Sequence, residues 1–300
     1  MLLEKLLINF NFILLKKIIL SSIITFCTLA QTIVAQEKID SPAKYTAHNK
    51  GKMYIYWGGN RESYSKSDIH FRGPDYDFTL YDVMANDRPK GWSIDYINPG
   101  RMTIPQTNFR IGYFINDHYN ISIGVDHMKY VMIQNQNVEI AGVIGNSYPD
   151  YAGVYLPSGN HTINMTDGSF LKFEHTDGLN YINTELCRVD DASKLFGIRN
   201  TDKFQVNLLE GVGAGILYPK TNATLLGKER HDDFHVSGFG ISAKVGLNFT
   251  FFKYFFVETE LKGGYINMND IRTTNSPSDK ASQHFLFLQR IIAFGGIFKL

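Results

Sequence analysis

The stretch GISAKVGLNFTFFKYFFVETELKGGY, residues 240 to 265, alternates with a period of two along both of its legs. Phe239, Ile241, Ala243, Val245, Leu247, Phe249 and Phe251 share one side of an extended chain. Gly240, Ser242, Lys244, Gly246, Asn248 and Thr250 share the other. The second leg sets Phe255, Val257, Thr259, Leu261 and Tyr265 against Glu258, Glu260, Lys262 and Gly264. Only Phe252-Lys253 joins the legs, so they form an antiparallel hairpin. Its turn is crowded with Phe251, Phe252, Tyr254, Phe255 and Phe256, where a hairpin in water carries polar residues. Aromatics gathered at strand ends suit a membrane interface.

The same alternation recurs along the chain. KMYIYWGG (52–59), TNFRIGYFI (107–115), NISIGVDHMKYVM (120–132), GSFLKFEHTDGLNYINTELCRV (168–189, with a bulge near Asp177-Gly178), KFQVNLLEGVGAGILY (203–218) and HFLFLQRIIAFGGIFKL (284–300) read as strands. With the hairpin they make eight. Short connections fall near 116–119, 190–202 and 252–253, and long ones near 60–105, 134–167, 219–232 and 271–283. That asymmetry is the outer-membrane pattern of short periplasmic turns and long external loops. DIHF and YDFTLYDV in the first long segment are expected to project above the membrane; if YDFTLYDV and a partner enter the wall, the count becomes ten. Glu210 interrupts an apolar face and marks either an interface or a bulge. The expected fold class is all-β, an antiparallel up-and-down transmembrane β-barrel of eight strands.

The N-terminus reads as an export signal over residues 1–35: Lys16-Lys17, the apolar IILSSIITFCTLA, then small residues ending at Ala30 or Ala35. Cleavage after Ala35 is preferred, and an uncleaved anchor is the alternative. Phe26 before Cys27 argues against a lipoprotein signal. Residues 36–51 form a polar lead-in, and 52–300 the barrel domain. Removing Glu4, Lys5, Lys16 and Lys17 with the signal takes the formal charge from +1 to about −1, and no basic surface for nucleic acid is expected. One cysteine, Cys187, remains, which excludes an internal disulfide. Beyond the signal no apolar run reaches 18 residues, so a membrane crossing must be made by a closed barrel. A lipocalin-like barrel in water would invert the faces, but the glycine-rich polar rows fit a narrow lumen better than a solvated outside.

The export signal, the eight amphipathic strands, the aromatic turn and the terminal AFGGIFKL resemble small bacterial outer-membrane barrels of the OmpX/OmpA transmembrane type. The resemblance spans most of residues 52–300. It implies a Gram-negative outer membrane, contact with its lipid, insertion by the barrel-assembly machinery and external loops open to protein or glycan. The family pattern often ends in an aromatic residue, whereas here Lys299-Leu300 follow Phe298.

Candidate chemistry collects at the external rim. Asp126 and His127 end one outgoing strand, His175 and Asp177 open the next, and RHDDFH supplies His231, Asp233 and His235. Imidazoles and carboxylates brought together serve as acid–base pairs or as ligands of zinc or a similar cation. No defined ligand spacing such as HExxH occurs, and no cofactor is expected. FEHTDGLN is reminiscent of the His-x-Ser-Asn segment of lipid A deacylases. His175 matches the histidine, Asp177 replaces the nucleophilic serine, and Glu185 is a loose match for the acid, so the family's acyl-enzyme route is missing. An eight-stranded barrel is just wide enough for its own side chains. The expected role is therefore structural or surface-interacting rather than that of a wide pore, with a lipid-modifying hydrolase as the rival.

Overall fold

A computed structural model describes residues 48–91, 93, 95, 105–157, 159–166 and 168–299; residues 1–35, expected to be an export signal, and residues 36–47 of the expected lead-in lie outside them. In chain order the strands are β1 (Lys52–Tyr64), β2 (Ser67–Gly73), β3 (Tyr76–Val83), β4 (Ala85–Asn86), β5 (Thr107–Phe114), β6 (Tyr119–Met132), β7 (Asn137–Ile144), β8 (Gly153–Tyr155), β9 (Thr162–Asn164), β10 (Leu171–Asp191), β11 (Phe204–Leu217), β12 (Asn222–Leu225), β13 (Gly238–Phe251), β14 (Phe255–Arg272) and β15 (Lys280–Lys299).

Eight of them close a ring in the order β1, β5, β6, β10, β11, β13, β14, β15, and β15 returns to β1 along an antiparallel ladder from Lys52↔Lys299 to Tyr64↔Phe287. Followed once around through paired residues, the register leaves β1 at Tyr54 and comes back to it at Tyr64, a stagger of ten residues. Such a stagger tilts the strands by about 40°. Every wall strand pairs on both sides, so no edge is open to lipid.

The faces fall as the hairpin pattern predicts. Ile241, Val245, Leu247 and Leu261 are exposed on the outside, while Ser242, Lys244, Glu258, Glu260 and Lys262 are buried within. Ile55, Ile111, Ile121, Ile123, Leu186, Val212, Ile216, Leu288, Ile292 and Phe294 continue the outer band. Phe252 and Tyr254 stand out from the hairpin turn, which closes with Tyr254 N donating to Phe251 O at 3.2 Å. Phe252 and Lys253 both adopt positive φ, 53° and 70°, as a type I′ turn demands. Lys253 is steadied by Asp202 at 3.0 Å across the neighbouring turn. Glu210 faces outward without a bulge, since β11 keeps register with both neighbours, and Arg188 lies 3.9 Å from it.

YDFTLYDV stays out of the wall, so the count is eight. It is β3, and with β2, β7, β8 and β9 it builds a sheet rising from the external end of β15. β10 extends past the wall after the expected irregularity, a register shift between His175 and Leu179, and there it pairs with β12. Between these extensions lies an apolar core, with Ile69, Phe71, Phe78, Leu80, Ile140, Phe170 and Phe173 among its members. Gly142 admits the close approach of β3: its φ is +130°, and a Cβ there would stand 2.2 Å from Asp77 O. Asp279 ties the cap together, accepting from Tyr76 Oη at 2.9 Å, Lys228 Nζ at 2.8 Å and Thr274 Oγ1 at 2.6 Å. Burial opposes its charge, but these donors hold its carboxyl below the usual range.

Ring closure has a direct test. Ser63→Cys with Leu288→Cys, in a Cys187→Ser background, joins outward neighbours on β1 and β15. Mild oxidation is expected to produce a cross-linked monomer of altered mobility in denaturing gels; failure to cross-link overturns the closure.

Candidate functional site: a filled lumen beneath an apolar cap

Polar side chains converge at mid-barrel because the inward phase of β5, β6, β10, β13 and β14 presents them. Arg110 on β5 is fully buried; its Nη2 lies 2.9 Å from Glu185 Oε1 of β10 and 3.8 Å from Asp126 Oδ1 of β6. The same guanidinium donates to Tyr56 Oη at 3.1 Å, Ser122 Oγ at 3.1 Å and Asn183 Oδ1 at 2.8 Å. Lys262 of β14 bridges Asp126 at 2.8 Å and Glu185 at 2.7 Å, and Lys244 of β13 bridges Glu185 at 2.9 Å and Glu260 at 2.5 Å. Three cations thus interlock with three carboxylates. Gly124 provides the room, since a Cβ there would sit 2.9 Å from Arg110 Cζ.

Two further carboxylates flank this node. Toward the cap Glu62 accepts from Gln289 Nε2 at 3.0 Å and from Gln106, and Gln106 also reaches Asp87. Toward the short-turn end Glu258 accepts from Asn248 Nδ2 at 2.8 Å, beside Asn207 and Thr250. Below them a polar recess lined by Lys52, Asn120, Gln205, Asn207 and Lys253 faces the short turns, and the buried Cys187 lies on its wall. Chemically, the node is a charge-balanced plug whose mutual attraction offsets the cost of burying each ion.

The structure distributes the candidate site residues among separate places. Asp126 belongs to the lumen node. Its neighbour His127 lies on the other face of β6, with Nδ1 2.7 Å from Asn180 Oδ1. His175 is inside the cap core, packed on Phe173 and Tyr130 with Nδ1 2.9 Å from Thr221 Oγ1. Burial pushes its imidazole down to about 3. Asp177 is on the surface, 3.6 Å from Lys220. His231 is buried and 4.0 Å from Asp233, and burial likewise lowers its pKa. His235 pairs with Asp270 at 3.0 Å, and Asp270 with Lys280 at 2.6 Å. Among the described residues no group of three or more His, Cys, Asp or Glu is arranged to hold a metal ion. His175 and Glu185 are ten residues apart on one strand, roughly 33 Å along it, so they do not form a catalytic pair.

The polar faces of the hairpin carry Lys244, Glu258, Glu260 and Lys262, as the alternation predicts; Arg110 and Glu185 join them from β5 and β10, and Asp126, expected at the external rim, lies in the node instead. The signal was present: Arg110 and Asp126 occupy the polar phase of their strands, opposite Ile111 and Val125.

No protein-family model and no curated protein matches the chain. Among solved structures it is similar to the outer membrane protein OprG from Pseudomonas aeruginosa, with 9% identity over 84% of this chain and 98% of that one and a TM-score of 0.36. It is also similar to Ail, the attachment invasion locus protein of Yersinia pestis, in complex with the heparin analogue sucrose octasulfate, with 11% identity, 83% and 99% coverage and a TM-score of 0.32. The outer membrane protease OmpT from Escherichia coli follows with 9% identity, 85% and 98% coverage and a TM-score of 0.31.

Arg110→Ala leaves Asp126 and Glu185 facing each other with one cation fewer; a loss of about 3–5 kcal/mol in urea unfolding from micelles is expected. A second outcome concerns the cap. His175 is held neutral when folded, whereas an unfolded histidine takes a proton near pH 6.5. Cap stability is therefore fully present above about pH 7 and declines by about 1.4 kcal/mol per unit as pH falls from about 6.5 toward 3. The urea midpoint of the cap, read by tyrosine fluorescence, should show this slope in the native chain and lose it in His175→Gln.

Proposed function

We propose that the chain is exported, cleaved after Ala35 and inserted in a bacterial outer membrane by the barrel-assembly machinery. There it works through its external cap as a structural or surface-interaction element for protein or glycan. The observation that carries this reading is the division of labour along the barrel axis. The lumen is filled by the Arg110, Lys244 and Lys262 node, which leaves no open path, while the chain builds a second, apolar core outside the membrane. A passive pore does not need such a core. A rigid platform for loops does, because buried apolar area fixes the strands that present them.

The separation of His175 from Asp126 and Glu185 supports the interaction reading over a lipid-modifying hydrolase. The short turns 115–118, 192–203 and 252–254 at one end, and the cap at the other, support an orientation with the cap outside the cell.

Expressed in a Gram-negative host, the protein should sediment with outer membranes, require detergent for extraction and migrate faster in gels before boiling than after. External protease should cut the cap loops on intact cells and spare the wall. Recovery in the aqueous fraction without detergent overturns the membrane reading, and protection of the cap on intact cells overturns the orientation.

A further inference from the structure

We propose that Glu62, Asp87 and the side-chain amides around them form a binding site for a divalent cation of calcium's size, where the lumen meets the cap. Four segments converge there. Glu62 lies on the inward row of β1, and Gln289 faces it across the β1–β15 ladder. Gln106 directly precedes β5, which pairs with β1, and Asp87 directly follows β4. Glu62, Gln106 and Gln289 are buried, and Asp87 is half-buried.

The two carboxylates stand close together. Gln106 Nε2 donates both to Glu62 Oε2 and, at 2.5 Å, to Asp87 Oδ1, while the backbone N–H of Glu62 donates to Asp87 Oδ2 at 3.0 Å. Two oxygens that share one nitrogen in this way lie within about 5 Å of each other, a gap that one calcium ion spans with bonds of about 2.3–2.6 Å. The remaining donor is Gln289 Nε2, 3.0 Å from Glu62 Oε1, so every donor to the pair is uncharged. Among the described residues no Lys, Arg or His forms an ion pair with either carboxylate; Lys129 lies within electrostatic reach of Asp87 without pairing to it. In the node below, by contrast, Asp126, Glu185 and Glu260 each touch a lysine. Uncharged donors do not cancel two like charges withdrawn from water, and a divalent cation does.

The second observation concerns the amides themselves. Gln106 Oε1, Gln289 Oε1 and Asn60 Oδ1 are buried acceptors with no donor in the protein. Asn60 stands two residues before Glu62 on the same inward row, and its Nδ2 is taken up by Asn108 Oδ1 at 2.7 Å. Buried acceptors left unpaired cost free energy. The Gln106 and Gln289 amides already touch Glu62 through nitrogen, so a half-turn about the last side-chain bond brings each oxygen to the place its nitrogen holds. Carboxylates with amide oxygens are a donor set for calcium, which accepts irregular geometry; magnesium demands a near-octahedral shell, and zinc favours imidazole or thiolate. An ion bound there ties the closing seam of β1 and β15 to the segments that lead into the cap, and the half-buried Asp87 marks its way in.

The full-length mature protein, folded in a neutral detergent and freed of metal with EDTA, is titrated with Tb3+. Its luminescence is excited through Tyr64, two residues beyond Glu62 on the same row. One Tb3+ per chain is expected, displaced by Ca2+ and about tenfold less readily by Mg2+, and Ca2+ should raise the urea midpoint. Asp87→Asn and Gln289→Met should each weaken Tb3+ and Ca2+ binding by about tenfold or more. Asp177→Asn, which removes a surface carboxylate of the cap, should leave binding unchanged. Heat-modifiability reports that each variant barrel has folded. Full Tb3+ luminescence retained in folded Asp87→Asn and Gln289→Met overturns the site. A native chain that takes up no ion, with a urea midpoint indifferent to Ca2+, also overturns it, as a carboxyl pair that shares a proton.

Discussion

The ladder between β1 and β15 is the contact on which the rest depends. Lipid offers no hydrogen-bonding partner, so one open strand edge would leave a row of amides and carbonyls unpaired at several kcal/mol each. Closing the ring from Lys52↔Lys299 to Tyr64↔Phe287 removes that edge by joining the two ends of the described chain. The stagger of ten residues sets the tilt, and eight tilted strands set a bore that side chains must fill. The filled lumen, the apolar exterior and the exclusion of a wide channel all follow from this closure.

Within that bore, glycine and charge are complementary devices. Arg110, Lys244 and Lys262 reach the axis because inward neighbours such as Gly124 withhold their own side chains. Their carboxylate partners come from strands far apart in sequence, β6, β10 and β14, so the node ties opposite walls of the barrel together. Above the membrane the logic reverses. There the extensions of β6, β10, β14 and β15 turn apolar faces inward, burying Met128, Phe173, Ile266 and Phe285 against one another. His175 falls on the far side of that change, which is why burial, rather than a charged partner, governs its proton.

The wall was legible in the sequence because lipid and lumen impose a strict period of two, and the eight strands, the hairpin faces and the irregularity before Leu179 all follow from it. The cap was legible only as pieces, DIHF and YDFTLYDV, since short strands in a polar, Gly- and Pro-punctuated stretch carry little periodic signal. Their pairing with β15 and β7 is a non-local event. The rim chemistry failed for a related reason. Asp126, His175 and His231 were grouped by nearness to predicted strand ends, but a tilted barrel places residues at equal sequence distance from a turn at different heights and on different faces.

The sequence by itself determined an amphipathic β chain with its apolar side toward lipid, because alternation needs no knowledge of neighbours. Which polar groups meet was decided only by the tertiary structure. The ten-residue stagger brings Arg110, Asp126, Glu185 and Lys262 to one level, and stagger is a property of the closed ring rather than of any strand in it.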